Sequence, residues 1–546
     1  NLTMLGSAAN LIVAHAAENQ GERALTATTY SKFSFLPTTV ITLLGVLVMP
    51  PIGPTWAYLP ALAALLGAGL LALGVYLCQS CGHSQEEEQV ETGWSWRNRE
   101  ALGLFLISGF VAGQPLGPYE GAWLTANPVR QYTPAELGEL NAVQQVLVAL
   151  MQPLLGGFVD GTKWKRSLVV FGSICAAASI AVGVFMTESY WLELATQLPQ
   201  AVALTLVPLA INSLTLGVTE SGFTQQVALN NVGIHVGTVV CSAAMAGLSL
   251  TGGKSHAEGS VEGSSFGPLW CAVPLAACLL AILALPMVRY SKIDHRRAAG
   301  LEDTERPSDF RALPDAKLGY EALFTRKAFL LALLLSFLFN FANMAQLQLL
   351  VQEASALLPG QAISYTSAAQ IVAHLGMLGS SVVVGKMADR GRKRLVLAAC
   401  LTVTVRALLT AATDLWWIQR GGTPWLGLLP CEGLDGVCAG LWGALVVLLA
   451  RDVSAGTGCF SLALGCMQAA FSAGAIASST CAGYLASSVN FGAAFAMLAG
   501  AGCAATVVAA ILPETMEEES KPRPDGCEWR PSCCTFARFW PRVASS

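Results

Sequence analysis

Two short basic turns decide the fold of this chain. One reads Gly385-Lys386-Met387-Ala388-Asp389-Arg390-Gly391-Arg392-Lys393-Arg394 and the other Gly156-Gly157-Phe158-Val159-Asp160-Gly161-Thr162-Lys163-Trp164-Lys165-Arg166. Each turn joins two long apolar segments, and in each an aspartate stands four residues after a glycine and before a basic run. Because the turn recurs at equivalent positions in two stretches of chain, the sequence predicts an internal repeat.

Long apolar segments flank both turns and recur along the whole chain. The 546 residues are 54% hydrophobic and 12% charged, about half the charged fraction of a soluble protein. About 20 apolar residues in a helix cross the hydrocarbon core of a bilayer. We predict fourteen such segments, at roughly 33–50, 56–78, 101–124, 138–159, 167–187, 191–217, 226–250, 266–288, 328–350, 364–386, 395–412, 424–450, 459–485 and 490–512. The composition therefore predicts an all-α, multi-pass integral membrane protein; it does not indicate which membrane.

The segments group into predicted units. These are an N-terminal pair of helices in 1–78, a cytosolic linker at 79–100, a six-helix half at 101–288, a charged cytosolic linker at 289–327, a second six-helix half at 328–512 and a cytosolic tail at 513–546. Two six-helix halves joined by a charged linker are typical of transporters that move one half against the other. We therefore predict twelve transmembrane helices in two halves, preceded by about two extra ones.

The basic residues predict how the twelve-helix part lies in the membrane. Lysine and arginine resist translocation and therefore concentrate in cytosolic loops. Nearly all those of the twelve-helix part fall in one set of loops, including both basic turns, the 289–327 linker and the tail. The opposite loops contain only Arg130, Lys254 and Arg420. We therefore expect both ends of this part and its central linker to be cytosolic.

The two basic turns resemble the signature loop of the major facilitator superfamily of secondary transporters. The residues that carry this resemblance are Gly156, Asp160, Lys165 and Arg166 in the first turn, and Gly385, Asp389, Arg390, Arg392, Lys393 and Arg394 in the second. The second turn departs by one missing residue between Arg390 and Gly391. The first has Gly161 where the family usually has an arginine, which we expect to weaken any ion pair there.

The resemblance implies that these turns act as gates. Glycine lets two helices approach closely, and the carboxylate can face the positive N-terminal end of a neighbouring helix. In the superfamily that neighbour is the eleventh helix, which would start here at 456–460, so we expect Asp389 to lie against it. The arginines would reach Asp452. The alternative is that the basic residues only set the topology.

Resemblance to the superfamily extends over about residues 100–515, through stretches at 434–460, 230–237 and 513–515 that are similar to a mostly microbial subgroup. It implies alternating access and does not indicate a substrate. The first fifty residues differ. Asn1 to Val13 resembles the last re-entrant hairpin of anion permeases of the arsenite/citrate type, and 33–49 would be that family's final helix. This fragment would be either a genuine fusion or an artefact of gene prediction.

Ionisable groups at mid-depth in a membrane cost several kcal/mol unless they are paired, so they are candidates for function. Asp435 lies near the middle of its segment, and Arg406 lies at a similar depth on the preceding antiparallel segment. We predict an Arg406–Asp435 ion pair, and we keep open a role for Asp435 in proton coupling or substrate binding. The two roles overlap if the pair opens during transport.

Other polar residues inside the segments are also substrate or proton candidates. His235 and His374 lie near mid-depth, either as neutral hydrogen-bonded histidines or as proton carriers. Asn340 and Asn343, with Gln346, share one helical stripe that suits either a helix contact or a polar substrate. Gln114, Tyr119 and Glu120 could line a pocket.

The sequence lacks a complete catalytic or phosphate-binding motif. We therefore expect no enzymatic activity and no cofactor or metal. We predict a secondary active transporter of a small polar solute, with protons as the coupling ion, the lipid bilayer as its surroundings and no nucleic acid as a partner. The alternative is a non-transporting receptor or scaffold on the same fold.

Overall fold

The computed structural model describes residues 99–112, 134–185, 189–219, 222–252, 271–301, 316–357, 362–421 and 424–515. All of them belong to one compact unit. The predicted N-terminal helix pair, the permease-like fragment and the tail beyond Thr515 lie outside the described residues, as do Gln114, Tyr119 and Glu120.

The described residues fold into α-helices and short helical turns, with no β-strand among them. In chain order we name α1 (Arg99–Ala112), α2 (Pro134–Gly161), α3 (Lys165–Phe185), α4 (Tyr190–Val218), α5 (Phe223–Gly252), α6 (Ala272–Ala284), α7 (Lys327–Leu357), α8 (Ala362–Met387), α9 (Arg392–Ala412), α10 (Pro424–Ser454), α11 (Phe460–Ser488) and α12 (Phe491–Ile511). A short linker helix, Ala316–Thr325, precedes α7.

Nine of these helices are long and apolar enough to cross a membrane, namely α2, α3, α4 and α7 to α12. The described parts of α1 and α6 contain only 14 and 13 residues. Helix α5 has 30 residues, but Gln225, Gln226, Asn230, Asn231 and His235 interrupt its apolar character. The prediction of an all-α, multi-pass membrane protein is confirmed, whereas the count of twelve plus two helices stays a prediction.

The two most extensive helix contacts between the first and second parts of the described chain involve α2 and α5. Helix α2 packs along α11, and α5 packs along α8. The approach of α2 to α11 depends on Gly156, because a Cβ atom there would collide with the carbonyl oxygen of Ser461. At Gly385 a Cβ atom would lie 2.9 Å from the Cβ atom of Ala228 on α5. The glycines of both turns therefore allow close helix contacts, as predicted.

Residues 289–301, which we call the strap, leave α6 and run across one end of the molecule. The hydroxyl of Ser213 on α4 donates to the carbonyl of Ala298 at 2.7 Å. On the other side, the amide of Gly456, in the turn between α10 and α11, donates to the carbonyl of Gly300 at 3.1 Å. Both glycines have positive φ, 86° and 73°, a backbone conformation that favours glycine. The strap therefore connects α4 to the start of α11.

Candidate functional site

A cavity of about 280 Å³ lies between helices α1, α3, α4, α5, α10 and α11. Its polar lining consists of Ser108, Gln200, Asn212, Asn230, Asn231 and Gln468, and the rest of the lining is apolar. No charged side chain occurs among the described lining residues. A mostly apolar pocket with a few fixed polar groups is typical of small-molecule sites.

Hydrogen bonds hold several of these amides in place. Asn230 donates from Nδ2 to the hydroxyl of Thr215 at 2.9 Å and accepts from Gln226 at 2.8 Å. Asn231 on α5 donates to the hydroxyl of Ser381 on α8 at 2.9 Å and lies 3.4 Å from the carbonyl of Gly440 on α10. Asn231 therefore joins the cavity wall to the opposite set of helices.

A fully buried guanidinium lies in the second half of the described chain, with two carboxylates around it. Arg406 on α9 donates from Nη1 to Asp435 Oδ1 on α10 at 2.6 Å, so the predicted ion pair is present. Its Nη2 atom donates to Glu432 Oε1 at 3.2 Å, and Glu432 has no exposed surface. The cluster therefore contains one cation and two acids within the apolar interior.

Glu432 is the member of this cluster that sequence reasoning missed. Its signal was available, because residues three apart on a helix lie on the same face and Glu432 precedes Asp435 by three. The cavity amides Gln200, Asn230 and Asn231 were not singled out as cavity residues either. Amides are common in membrane helices as helix contacts, and the sequence alone does not show which of them line a common space.

The amide stripe of α7 serves helix contacts. Asn340 donates to the carbonyl of Phe471 on α11 at 2.8 Å. Asn343 accepts from Arg406 Nη1 at 2.9 Å and so belongs to the charged cluster. Gln346 donates to the carbonyl of Ala342, one turn earlier on the same helix. The three residues are thus divided among different partners, and none lines the cavity.

The two predicted histidines meet where α5 packs on α8. Their Nδ1 atoms are 3.4 Å apart, and the ring centroids are 5.5 Å apart. The Nε2 atom of His235 is buried without a hydrogen-bond partner in the described part of the chain. At this distance at most one of the two facing Nδ1 atoms can carry a proton directed at the other, because two N–H groups would otherwise point at each other.

Asp160 lies at the end of α2 and binds the first turn of α11. Its two carboxylate oxygens accept from the backbone amides of Ser461 and Leu462, both at 2.9 Å. A buried carboxylate on the free amides of a helix N-terminus is a favourable arrangement of charge and dipole. The ammonium of Lys165 donates to the carbonyls of Val159 and Thr162, both at 2.8 Å, and fixes the turn.

Asp389 was predicted to face the start of the eleventh helix, and this prediction was wrong. Its Oδ1 atom accepts from the hydroxyl of Thr224 at 2.5 Å, and its Oδ2 accepts from Gln225 Nε2 at 2.9 Å. Thr224 and Gln225 begin α5. The reason is the exchange of partners between the two repeats, since α8 packs on α5 and leaves α11 to α2.

The expected ion pair of the second turn is present. Arg392 Nη1 lies 2.7 Å from Asp452 Oδ2, and both side chains are buried. The backbone amide of Arg392 donates to Glu514 at 2.9 Å, and Thr515 donates to Asp452 at 2.9 Å. The segment that closes the described chain therefore completes the surroundings of this pair.

The remaining basic residues of the turns have other positions. The amide of Lys393 lies 3.3 Å from Glu514 Oε2, and the side chains of Arg390 and Arg394 are exposed. Arg166 does not join the contacts of Asp160 with α11; it lines an outer groove with Trp164. The structure therefore brings Asp160, Asp389, Arg392 and Asp452 into contacts between helices, buries Lys165 within its own turn and leaves Arg390 and Arg394 at the surface.

Among the described residues, no group of three or more histidine, cysteine, aspartate or glutamate side chains could hold a metal ion. Two of the described contacts, those of Asp160 and Asp389, connect the first half of the described chain to the second at the end that bears the basic turns. The cavity lies between the same sets of helices.

The comparisons with known proteins agree with this architecture. The family model described as Major Facilitator Superfamily matches residues 102–458 and 361–543. The uncharacterized MFS-type transporters MT2531 and Rv2456c of two Mycobacterium tuberculosis strains are each 28% identical over 441 residues, which cover 78% of this chain and 96% of each relative.

Two solved structures share the fold at low sequence identity. A single-residue variant of the E. coli fucose:proton symporter FucP is 15% identical with a TM-score of 0.54 over 76% of this chain and 98% of its own. The proton:xylose symporter XylE is 13% identical with a TM-score of 0.56 over 77% of this chain and 97% of its own.

Proposed function

Since this chain belongs to the major facilitator superfamily and is a membrane transporter, we propose that it moves a small, uncharged polar solute by alternating access and couples that movement to protons. The observation that carries the coupling is the buried cluster of Arg406, Asp435 and Glu432. The neutral amides of the cavity support the choice of solute, and the two gate contacts support alternating access.

Charge counting favours proton exchange at the cluster. With both acids ionised, the cluster has a net charge of −1 in an apolar interior, which is costly; with one acid protonated it is neutral. Asp435 makes the shorter contact with Arg406, at 2.6 Å against 3.2 Å for Glu432. We therefore assign Asp435 as the standing partner of Arg406 and Glu432 as the acid that gains and loses a proton.

The cavity favours an uncharged solute. A charged substrate would need a compensating charge, whereas the described lining offers hydroxyl and amide groups only. Such groups donate to and accept from hydroxyl-rich molecules. Two transporters of the same fold are, by their names, proton symporters of fucose and of xylose, so these sugars belong in any test panel.

The gate contacts support a two-state mechanism. Asp160 fixes α2 to α11 and Asp389 fixes α8 to α5, both at the end with the basic turns. With both contacts formed, that end is closed. Opening it requires both aspartates to leave partners on the opposite half. The closed and open states thus differ by discrete contacts, as alternating access requires.

The test is a solute-evoked proton current. Purified protein is reconstituted into proteoliposomes on a solid-supported membrane, and rapid exchange delivers a panel of neutral sugars, polyols and amides that includes L-fucose and D-xylose. We expect at least one solute to evoke a current that vanishes when a protonophore is present. Protein-free liposomes and the Glu432→Gln variant are the controls, and both should stay silent.

Two results would contradict the proposal. Uptake of a labelled panel solute with no accompanying proton current would remove the coupling. Saturable binding of a panel solute without any flux would favour a receptor on the same fold.

A further inference from the structure

An open groove of about 480 Å³ lies on the outer surface, apart from the central cavity. It is lined by Trp164, Arg166, Ser167, Val170, Leu285 and Tyr290. These residues come from the start of α3 and the residue before it, from Leu285 directly after α6, and from the strap. We propose that this groove binds the headgroup of an anionic phospholipid, with the acyl chains lying along α3 and α6.

The groove offers a cation, Arg166, that forms no ion pair with the described residues. The Nε atom of Arg166 is buried and has no hydrogen-bond partner within the described part of the chain. Arg166 as a whole is only partly buried and lines the groove, so a lipid phosphate there would accept from its Nη atoms. Arginine and phosphate form strong charge-assisted hydrogen bonds. Of the acids that contact the strap or belong to it, Glu100 lies 2.5 Å from Arg289 and Asp294 lies 3.5 Å from Arg297, so both have a basic partner.

The surroundings of the groove are positive as well. Burial lowers the pKa of His295, which contacts Tyr290, and the charges of Lys165 and Lys163 lower it further. Asp294 acts in the opposite direction on this pKa, and the two lysines add positive charge beside the groove. Clusters of basic residues at the cytosolic ends of membrane helices bind anionic lipid headgroups.

Aromatic and apolar residues distinguish a lipid from a free phosphate ion. Trp164 and Tyr290 are 70% and 51% exposed, which is typical of aromatic side chains at the membrane interface. Beyond the groove, the outer faces of α3 and α6 carry exposed apolar side chains: Phe171, Ile174, Leu279 and Leu283. A free phosphate ion would leave these apolar faces uncovered, whereas the acyl chains of a lipid would cover them.

The bound lipid would also contact both the strap and the basic turn at the start of α3. Tyr290 belongs to the strap, and Trp164 and Arg166 belong to the basic turn that carries Asp160. A headgroup between them would hold the strap against α3 and stabilise the closed end. This inference stands whether or not the transported solute is uncharged or coupled to protons.

Native mass spectrometry of the purified full chain tests the proposal. Phosphatidylglycerol and phosphatidylcholine with identical acyl chains are titrated into the wild type, Arg166→Gln and Lys386→Gln. Lys386 is the matched control, because it is an exposed basic residue at the corresponding end of α8 and lies outside the groove. Size-exclusion profiles check that each variant is folded.

We expect the wild type and Lys386→Gln to retain phosphatidylglycerol in preference to phosphatidylcholine. In Arg166→Gln we expect about fivefold weaker phosphatidylglycerol binding, since one basic side chain near a membrane surface contributes about 1 kcal/mol. Equal binding of both lipids by the wild type would overturn the proposal, and so would equal phosphatidylglycerol binding by the two variants.

A competition keeps the proposal testable if Arg166→Gln does not fold. Phosphatidylglycerol bound to the wild type is challenged with millimolar inorganic phosphate or with the same concentration of short-chain phosphatidylglycerol. We expect only the short-chain lipid to displace the bound lipid. Displacement by inorganic phosphate would show a simple anion site and would overturn the assignment to a lipid.

Discussion

At the scale of single residues, the cluster around Arg406 differs from the sequence-based expectation in one instructive way. The ion pair with Asp435 was predictable from the matching depths of the two residues. That prediction implied that Asp435→Asn would leave an unpaired buried cation. Glu432 changes this result, because it remains beside Arg406 and can neutralise it when ionised.

We therefore predict strong non-additivity in the stability of the acid variants. Asp435→Asn and Glu432→Gln each leave one cation and one acid, so each should reduce the free energy of unfolding only modestly. The double variant leaves Arg406 without a counter-charge, which costs about 3–5 kcal/mol. Thermal unfolding of the three purified variants in detergent measures this. Additive effects of the two single changes would contradict the cluster as described.

The two gate aspartates should differ in importance. Asp160 is buried on the amides of α11, whereas Asp389 is exposed and binds side chains of α5. A charge on a helix N-terminus contributes about 0.3–1 kcal/mol, and up to about 2 kcal/mol when partly buried. We expect Asp160→Asn to raise the fraction of molecules that are open at the basic-turn end more than Asp389→Asn does.

Distances between spin labels on the basic-turn ends of α4 and α10, measured by double electron–electron resonance, report that population. The control is a pair of labels at the opposite ends of the same helices. A larger shift for Asp389→Asn than for Asp160→Asn would reverse the ranking of the two gates.

At the scale of elements, the contact of α2 with α11 depends on a missing side chain. Gly156→Ala would drive a methyl group into the backbone of Ser461, so the two helices must separate. We expect a clear loss of thermal stability, as is usual for overpacked positions that cost about 1–3 kcal/mol. Gly379→Ala on α8 is the control, because nothing lies within 4 Å of its new Cβ atom. Equal melting temperatures for the two variants would argue against close packing at Gly156.

The strap should loosen in acid. Burial and two nearby lysines lower the pKa of His295 below its ordinary value of 6.5, so the docked strap favours the neutral ring. This contribution to its stability is therefore complete above about pH 6.5, and it declines as the pH falls below about 6.5 toward the lowered pKa of the docked ring. Hydrogen exchange of 289–301, after correction for the intrinsic rate at each pH, should show lower protection at about pH 5.5 than at about pH 7.5. The His295→Gln variant should not show this difference, and an unchanged difference in that variant would assign it to another group.

Sequence reasoning located the helices better than it located the strap. It placed one helix at 395–412, and α9 runs from Arg392 to Ala412. Such segments have a strong hydropathy signal over many residues. The sequence placed the strap within the predicted charged linker 289–327. In the structure, backbone hydrogen bonds and small buried residues such as Ala298 and Ala299 hold the strap in place. These contacts leave no periodic pattern in a sequence.

At the scale of the whole molecule, the family and the all-helical membrane architecture followed from the two basic turns and the apolar segments. The helix that each basic turn contacts did not follow from the sequence. Repeated turns indicate two similar gates, but the sequence cannot show that α2 meets α11 while α8 meets α5. The central cavity could not be predicted from the sequence either, since its lining comes from six different helices.

The orientation in the membrane and the division into two six-helix halves stay predictions. Asp160, Asp389 and the strap all lie at the end with the basic turns, which is the end predicted to be cytosolic. Movement of the two halves about the cavity would open this end and close the other. The Arg406 cluster lies within the second half. Helix α8 packs on both α5 and α10, so a movement of α5 would reach the cluster through α8.

The measurement that tests proton coupling most directly compares accumulation with exchange in the Glu432→Gln variant. Proteoliposomes with an imposed proton gradient receive a labelled solute that evokes a proton current in the wild type. We predict that the wild type accumulates the solute above its external concentration. Glu432→Gln should only equilibrate it, while still exchanging internal for external solute at a rate close to that of the wild type. Accumulation by Glu432→Gln to the wild-type level would contradict the assignment of this cluster as the site of coupling.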